Sequence, residues 1–247
     1  MPARAGASFC AGCGGNLQSL NPGLHQVTPT APRAQVHEQL LEIKRIAWLF
    51  GLLLLSSLVL GLVSRVNDSP WPEAMISALD ALIIVAFAVR YRTAIVPLLR
   101  LPQMRWLEGL HWIAMAVLFM LVLRAFFSTL HAWGVPMAEM TTGLRKFGWS
   151  VSVMFVLISV MPALFEELAF RGVIQSNLEN ILGPRDALII QAALFSVLHL
   201  SPLIFPSHFA MGLFFGWMRT RTRSLYPGVA IHATWNALVL FEELHGM

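Results

Sequence analysis

Two adjacent glutamates and an arginine lie inside an otherwise apolar run of the sequence, at Glu166, Glu167 and Arg171. A charge at membrane depth costs about 2.5–3.5 kcal/mol on insertion scales, so such charges usually pair or serve a function. On a helix, Glu167 and Arg171 are four residues apart and share a face, which favours an ion pair. Glu166 points about 100° away from Glu167 and is left without this partner. The spacing predicts a structural pair and a second carboxylate that is free for chemistry.

Two histidines and an asparagine lie in apolar segments further along the chain, at His199, His232 and Asn236. His232 and Asn236 are four residues apart and share one helix face. A lone histidine in a membrane helix can be a packing residue, but here three separate helices each offer polar groups to one bundle. Hydrolysis of an amide needs a base for water, a proton donor for the leaving nitrogen, and donors to the developing oxyanion. Together with Glu166, these side chains supply that set.

The composition indicates the environment in which these groups lie. Of 247 residues, 57% are hydrophobic and 12% are charged, and the mean hydropathy is +0.67. Soluble domains carry about 25% charged residues, so we predict an all-α, polytopic transmembrane helical bundle in a lipid bilayer. The net charge of +4 is interpreted as the cytoplasmic lysine and arginine surplus of a membrane protein, not as a nucleic-acid surface.

Seven segments are predicted to cross the bilayer, with a range of six to eight because the fifth and sixth are short. They are residues 46–64, 73–89, 107–131, 150–180, 187–200, 203–218 and 225–241. Arginines without acids cluster at residues 90–105 and 219–223, which predicts that both loops and the N-terminus are cytoplasmic. We expect an integral protein of a bacterial cytoplasmic membrane.

The chain is predicted to have three parts. Residues 1–40 form a polar tail that contains Cys10 and Cys13 in a Cys-x-x-Cys turn. This turn resembles half of a zinc ribbon, but a structural zinc needs four ligands, so a flexible tail with an idle or dimer-forming cysteine pair is the alternative. Residues 41–106 hold two spans and a basic cytoplasmic loop, and residues 107–247 hold the core with the polar groups.

Three motifs follow one another in this core: Glu166-Glu167-x-x-x-Arg171, Phe195-x-x-x-His199 and His232-x-x-x-Asn236. In order and spacing they resemble the motifs of the CPBP family, the type II CAAX prenyl endopeptidases and bacteriocin-processing Abi-domain proteins. The resemblance covers roughly residues 110–245. It implies an intramembrane endopeptidase that hydrolyses peptide bonds of membrane-tethered, including prenylated, proteins or peptides.

The resemblance also implies roles for the site residues. Glu166 and His199 would activate the water, and His232 and Asn236 would form the oxyanion site. Arg171 would fix the pair of glutamates, with Glu167 as its partner. The water can be activated without a metal, and we expect no cofactor. The alternative is a zinc ion on Glu166, His199 and His232, since three protein ligands plus water is a usual catalytic zinc shell, although no His-Glu-x-x-His motif is present.

Two other classes of function remain open on the residues alone. Buried glutamate, arginine and histidine also occur in proton relays, so a proton-coupled transporter is an alternative, as is a non-proteolytic membrane adaptor that retains the motifs for packing. Asn236 distinguishes these possibilities, because an oxyanion site uses it and a proton relay does not. No inverted repeat of the kind found in transporters is visible.

Two features that resemble parts of the motifs, a histidine and a repeated tetrapeptide, are predicted to lie outside the site. His208 precedes Gly212-x-x-x-Gly216, a helix-packing pattern, and is predicted to be interfacial or structural. The tetrapeptide Phe-Glu-Glu-Leu recurs at residues 241–244 near the chain end, but no arginine follows Glu243 four residues later. This second copy is predicted to be a solvated terminus.

Overall fold

The structure, a computed structural model, describes residues 33–64, 66, 69–103, 105–135 and 141–245, and these ranges contain helices and turns but no strand. The chain divides into two compact units, residues 1–40 and 41–247. Of the first unit, residues 33–40 are described, and they form the N-terminal turns of the first helix. The predicted zinc site at Cys10 and Cys13 lies outside the described residues.

Nine helices follow one another in the described ranges. In chain order they are α1 (Arg33–Val63), α2 (Trp71–Arg90), α3 (Arg92–Ile95), α4 (Trp106–Ala132), α5 (Thr142–Lys146), α6 (Val151–Leu182), α7 (Pro184–Leu198), α8 (Phe205–Thr222) and α9 (Tyr226–His245). A 3₁₀ turn, Val96–Leu99, follows α3. Proline in the first turn starts α2, α7 and α8, where its missing N–H costs no helical hydrogen bond.

Four of these helices, α1, α2, α4 and α6, are long and apolar enough to cross a membrane. Helices α7, α8 and α9 lie at the other three predicted spans and have 15, 18 and 20 residues. The predicted helical membrane bundle is confirmed, and the number of crossings stays a prediction. Helix α1 begins before the predicted span because residues 33–45 are mostly good helix formers, which a hydropathy pattern does not reveal.

Helix α6 is widened on both sides of Glu166. Its segment Met161–Glu166 is flanked by two π-helical stretches, Phe155–Val160 and Glu167–Ile174. Pro162 has no N–H to donate to a preceding carbonyl, so regular α-helical bonding is interrupted at this position. Wide turns of this kind are frequent at functional sites.

Helices α7 and α8 pack closely because Gly212 has no side chain. A Cβ atom at Gly212 would lie 2.6 Å from the Cα atom of Ala192, so the predicted packing role of this glycine is confirmed. The buried Gln191 side chain donates to the Gly212 carbonyl at 2.7 Å. This contact joins the middle of α7 to the middle of α8.

Helix α9 packs on the first half of α6, where Ser159 donates to the Ala233 carbonyl at 2.7 Å. On the other side of α6, the fully buried rings of Phe170, Phe195 and Phe215 join α6, α7 and α8 in one core. The helices that carry Glu166, His199 and His232 are therefore neighbours.

The prediction that residues 241–244 form a solvated terminus is wrong. The Glu243 carboxylate accepts hydrogen bonds from the Thr141 backbone N–H at 2.7 Å and from the Thr141 hydroxyl at 2.8 Å. Glu242 forms an ion pair with Arg124 of α4. The last turns of α9 are thus tied to residues about one hundred positions away, a long-range contact that a local sequence pattern cannot reveal.

Candidate active site

The predicted pair between Glu167 and Arg171 is present in the centre of α6. Arg171 Nη1 lies 3.0 Å from Glu167 Oε1, and the two side chains are 0% and 1% exposed. The guanidinium also donates to the Met211 carbonyl at 3.4 Å and lies 4.4 Å from the centroid of the Phe195 ring. The pair therefore connects α6 to both α7 and α8 in the core.

His232 reaches from α9 to both glutamates. Its Nδ1 lies 3.3 Å from Glu167 Oε1, and its Nε2 lies 3.8 Å from Glu166 Oε2. Glu167 thus contacts Arg171 and His232 at once, which the sequence does not predict. Gly228 provides the space for this carboxylate, because a Cβ atom there would lie 2.9 Å from Glu167 Oε2.

Glu166 is free to act as an acceptor. Its side chain is 25% exposed, while its Oε2 atom is enclosed and has no hydrogen-bond partner among the described residues. The side chain lines a cavity of about 140 Å³ between α1, α2, α6 and the end of α7. A carboxylate that lines open space and accepts no hydrogen bond there from the described residues is the arrangement that a general base for water requires.

His199 follows the last residue of α7, and its ring orientation is fixed by the backbone. His199 Nδ1 lies 2.9 Å from the Phe195 carbonyl. A carbonyl can only accept, so this contact places the ring hydrogen on Nδ1 and leaves Nε2 as a proton acceptor. The Phe195 ring lies between the helices, with its centroid 5.0 Å from that of His199 and 6.1 Å from that of His232.

His208 lies closer to these groups than the sequence predicts. Its ring centroid is 3.9 Å from that of His199, because the α7–α8 packing places the first turn of α8 beside the end of α7. His208 Nδ1 lies 3.0 Å from the Ile204 carbonyl, which gives His208 the same ring tautomer as His199. The short loop between α7 and α8 is the sequence feature that could have indicated this neighbour.

Asn236 lies one turn after His232 on α9 and is half-buried. The structure therefore gathers Glu166, Glu167, Arg171 and His232 by direct contacts and His199 through Phe195, whereas Asn236 shares only the helix of His232.

In this structure, the three side chains of the alternative zinc site are not brought together around one point. In the described part of the chain, no three histidine, cysteine, aspartate or glutamate side chains are grouped as ligands of one metal ion. Glu166, His199 and His232 are among the side chains that are not grouped in this way. We therefore derive no step through a metal.

The residues of the candidate site lie within one segment of the chain that resembles a known family. Residues 147–238 match the family model of the Rce1-like type II CAAX prenyl endopeptidases. This part of the chain is similar to that family. The match spans less than half of the 247 residues, and it confirms the predicted resemblance to the CPBP family. Among curated proteins and among solved structures, none matches the chain.

The Rce1-like domain includes α6, α7 and α8 completely and the part of α9 that carries His232 and Asn236. The matched residues are similar to those of CAAX-type intramembrane proteases, and the long apolar helices are those of an integral membrane protein. Helices α1, α2 and α4 lie outside the match. The match therefore says nothing about any residue that these three helices contribute to the site.

Proposed function

We propose that the protein is an intramembrane endopeptidase that hydrolyses peptide bonds of membrane-tethered proteins or peptides, including prenylated ones. The observation that supports this most directly is the position of Glu166, beside His232 at 3.8 Å and at the wall of a cavity within the Rce1-like domain. A carboxylate that accepts no hydrogen bond from the described residues and has an imidazole beside it suits hydrolysis by water.

In the proposed reaction, a water molecule in the cavity donates one hydrogen to the Glu166 carboxylate, while His199 Nε2 orients the water as a second acceptor. As the water oxygen bonds to the carbonyl carbon of the substrate, its proton passes to the Glu166 carboxylate. The carbonyl oxygen becomes an oxyanion, and the carbon–nitrogen bond then breaks. The proton held by Glu166 passes to the leaving nitrogen, which regenerates the carboxylate.

The oxyanion is proposed to bind on α9. The Asn236 amide offers two N–H donors, and it lies one turn from His232. To donate from Nε2, His232 must carry hydrogens on both ring nitrogens, and Glu167 accepts the hydrogen on Nδ1 at 3.3 Å. Glu167 then serves the site by orienting His232 as well as by pairing with Arg171.

This mechanism uses only side chains of the protein and no cofactor. The alternative is a zinc ion in the site, which a chelator would remove. The purified protein in lipid nanodiscs should cleave a fluorogenic prenylated peptide, and excess chelator should leave the rate unchanged. Replacement of His199 by alanine should lower the rate by about 10²-fold, the usual cost of a misplaced reactant, because His199 orients the attacking water.

The matched control for this experiment is replacement of the exposed His131 by alanine, which removes an imidazole far along the chain from the three motifs. The His131→Ala protein should cleave the peptide at the wild-type rate. If the wild-type protein cleaves none of a panel of prenylated and unprenylated membrane peptides, the proposed function is wrong, and proton-coupled transport becomes the favoured alternative.

We further propose that the N-terminus and both arginine-rich loops are cytoplasmic. The Leu225 N–H donates to the Leu98 carbonyl at 2.9 Å, and Ser224 donates to the Arg100 carbonyl at 2.7 Å. The two loops therefore lie at the same end of the bundle, and arginines favour the cytoplasmic side.

Single cysteines that replace Gln103 and Thr222 should resist a membrane-impermeant thiol reagent in intact cells. Both should react after the membrane is opened, which shows that the cysteines are accessible from the other side. Labelling of either cysteine in intact cells would contradict the proposed orientation.

A further inference from the structure

The cavity beside Glu166 has a wall that lies outside the Rce1-like domain. Its volume is about 140 Å³, and it is bounded by α1, α2, α6 and the end of α7. The polar side chains among its described lining are Ser57 of α1, Ser77 and Asp80 of α2, and Glu166 of α6; the others are apolar. The cavity is thus an apolar space with a small number of oxygen atoms.

Asp80 is directed to this cavity by the periodicity of α2. Ser77, Asp80, Ala81 and Ile84 all line the cavity, and their spacing of three, four and seven residues is that of one helix face. After Glu73, Asp80 is the single acidic residue of α2. The face that α2 turns towards Glu166 therefore carries one carboxylate among small and apolar side chains.

Two carboxyl groups at this cavity each have one oxygen that accepts no hydrogen bond from the described residues. Asp80 Oδ1 and Glu166 Oε2 are enclosed, and neither accepts a hydrogen bond from any described residue. The nearest buried arginine, Arg171, is engaged by Glu167 at 3.0 Å. A carboxylate that leaves water is stabilised by an adjacent cation, so an occupant that brings a positive charge suits this cavity.

We propose that this cavity binds a lysine side chain of the substrate, next to the peptide bond that is cleaved. The inference rests on the proposed protease function. The four-carbon stem would lie against the apolar wall, and the ammonium group would donate to the Asp80 carboxylate. One water needs about 10–15 Å³ of such space, so about 140 Å³ accommodates a five-atom chain. Lysine suits single oxygens on separate side chains, whereas the planar fork of arginine suits a bidentate partner.

The experiment uses matched fluorogenic membrane peptides. Each position within three residues of the cleaved bond is replaced in turn by lysine, by norleucine, which has the same stem length without the charge, or by glutamate. For the wild type, lysine should raise kcat/KM over norleucine at one position by about 10- to 100-fold, the usual value of a hydrogen bond to a charged group. Asp80→Asn should remove that preference, so that the lysine and norleucine peptides are cleaved with equal kcat/KM.

Glu73→Gln is the matched control, because it removes a carboxylate from the same helix two turns away, where the side chain does not line the cavity. It should retain the lysine preference. The proposal is overturned if the wild type prefers lysine at no position, or if the preference persists in Asp80→Asn. Equal loss of cleavage of all peptides in a folded Asp80→Asn protein would also overturn it, since Asp80 would then serve the reaction or the fold.

A binding measurement separates this proposal from the proposed function. Fluorescence anisotropy of the same peptides on the His199→Ala protein in nanodiscs should show tighter binding of the lysine peptide than of the norleucine peptide, and Asp80→Asn in that background should equalise them. If the wild type cleaves nothing but this difference is found, the cavity proposal holds and the protease proposal fails. Equal binding of the two peptides by the His199→Ala protein overturns the cavity proposal.

Discussion

Replacing Glu166 by glutamine should lower the rate of peptide cleavage by about 10²–10⁴-fold, the contribution expected of a general base, without lowering the melting temperature. Glutamine retains the size of the side chain but cannot take a proton from water. Because Glu166 Oε2 has no hydrogen-bond partner among the described residues, the substitution breaks no bond that stabilises the fold. Initial rates on a fluorogenic membrane peptide and melting curves in detergent measure the two effects.

The adjacent residue provides the control. Glu167→Gln makes the same chemical change one position away, but it removes the carboxylate that contacts Arg171 at 3.0 Å and His232 at 3.3 Å. This variant should lower the melting temperature, and the lost contact to His232 should also lower the rate. Full activity of Glu166→Gln rules out Glu166 as the base. An inactive Glu167→Gln protein with an unchanged melting temperature would indicate that the two glutamates have exchanged roles.

The sequence predicts the fold well where a helix is defined by local composition. Apolar runs indicate the helices, and prolines and the Gly183-Pro184 break mark several ends. The wide turns around Glu166 are different, because Pro162 predicts only a missing hydrogen bond and not the π-helical stretches on both sides. The hydropathy pattern does not predict that α1 begins at Arg33, because its first turns are polar and hydropathy does not report helix propensity.

The candidate site divides in the same way. The pair of Glu167 and Arg171 is local, at four residues on one helix, and its geometry is predicted by spacing alone. The contact of His232 with Glu167 and the neighbouring rings of His199 and His208 depend on how α7, α8 and α9 pack, which spacing does not define. The signal for Asp80 is in the sequence, as one acid on an apolar face of α2, but nothing local indicates that this face meets Glu166.

Arg171 is the side chain that depends most on its surroundings. It is fully buried, and its charge is compensated by Glu167, the Met211 carbonyl, and the rings of Phe195 and Phe215 at 4.4 and 5.4 Å. A buried ion pair adds little stability as a whole, because desolvation offsets the attraction, but removal of one partner leaves the other charge uncompensated. The consequence should be visible in the stability of single and double variants.

Arg171→Met should lower the free energy of unfolding by about 3–5 kcal/mol, the usual cost of removing one partner of a buried pair. Methionine fills much of the space of the arginine stem, so the loss is chiefly that of the charge and not that of a cavity. The double variant Arg171→Met with Glu167→Gln should regain part of this loss, since no unpaired carboxylate remains beside His232. Denaturant unfolding in a fixed detergent measures all four proteins, and the interaction energy between the two sites should be about 0.5–3 kcal/mol. Additive effects of the two substitutions would show that the 3.0 Å contact is not an energetic coupling, and that Arg171 supports the site through Phe195 and Met211 instead.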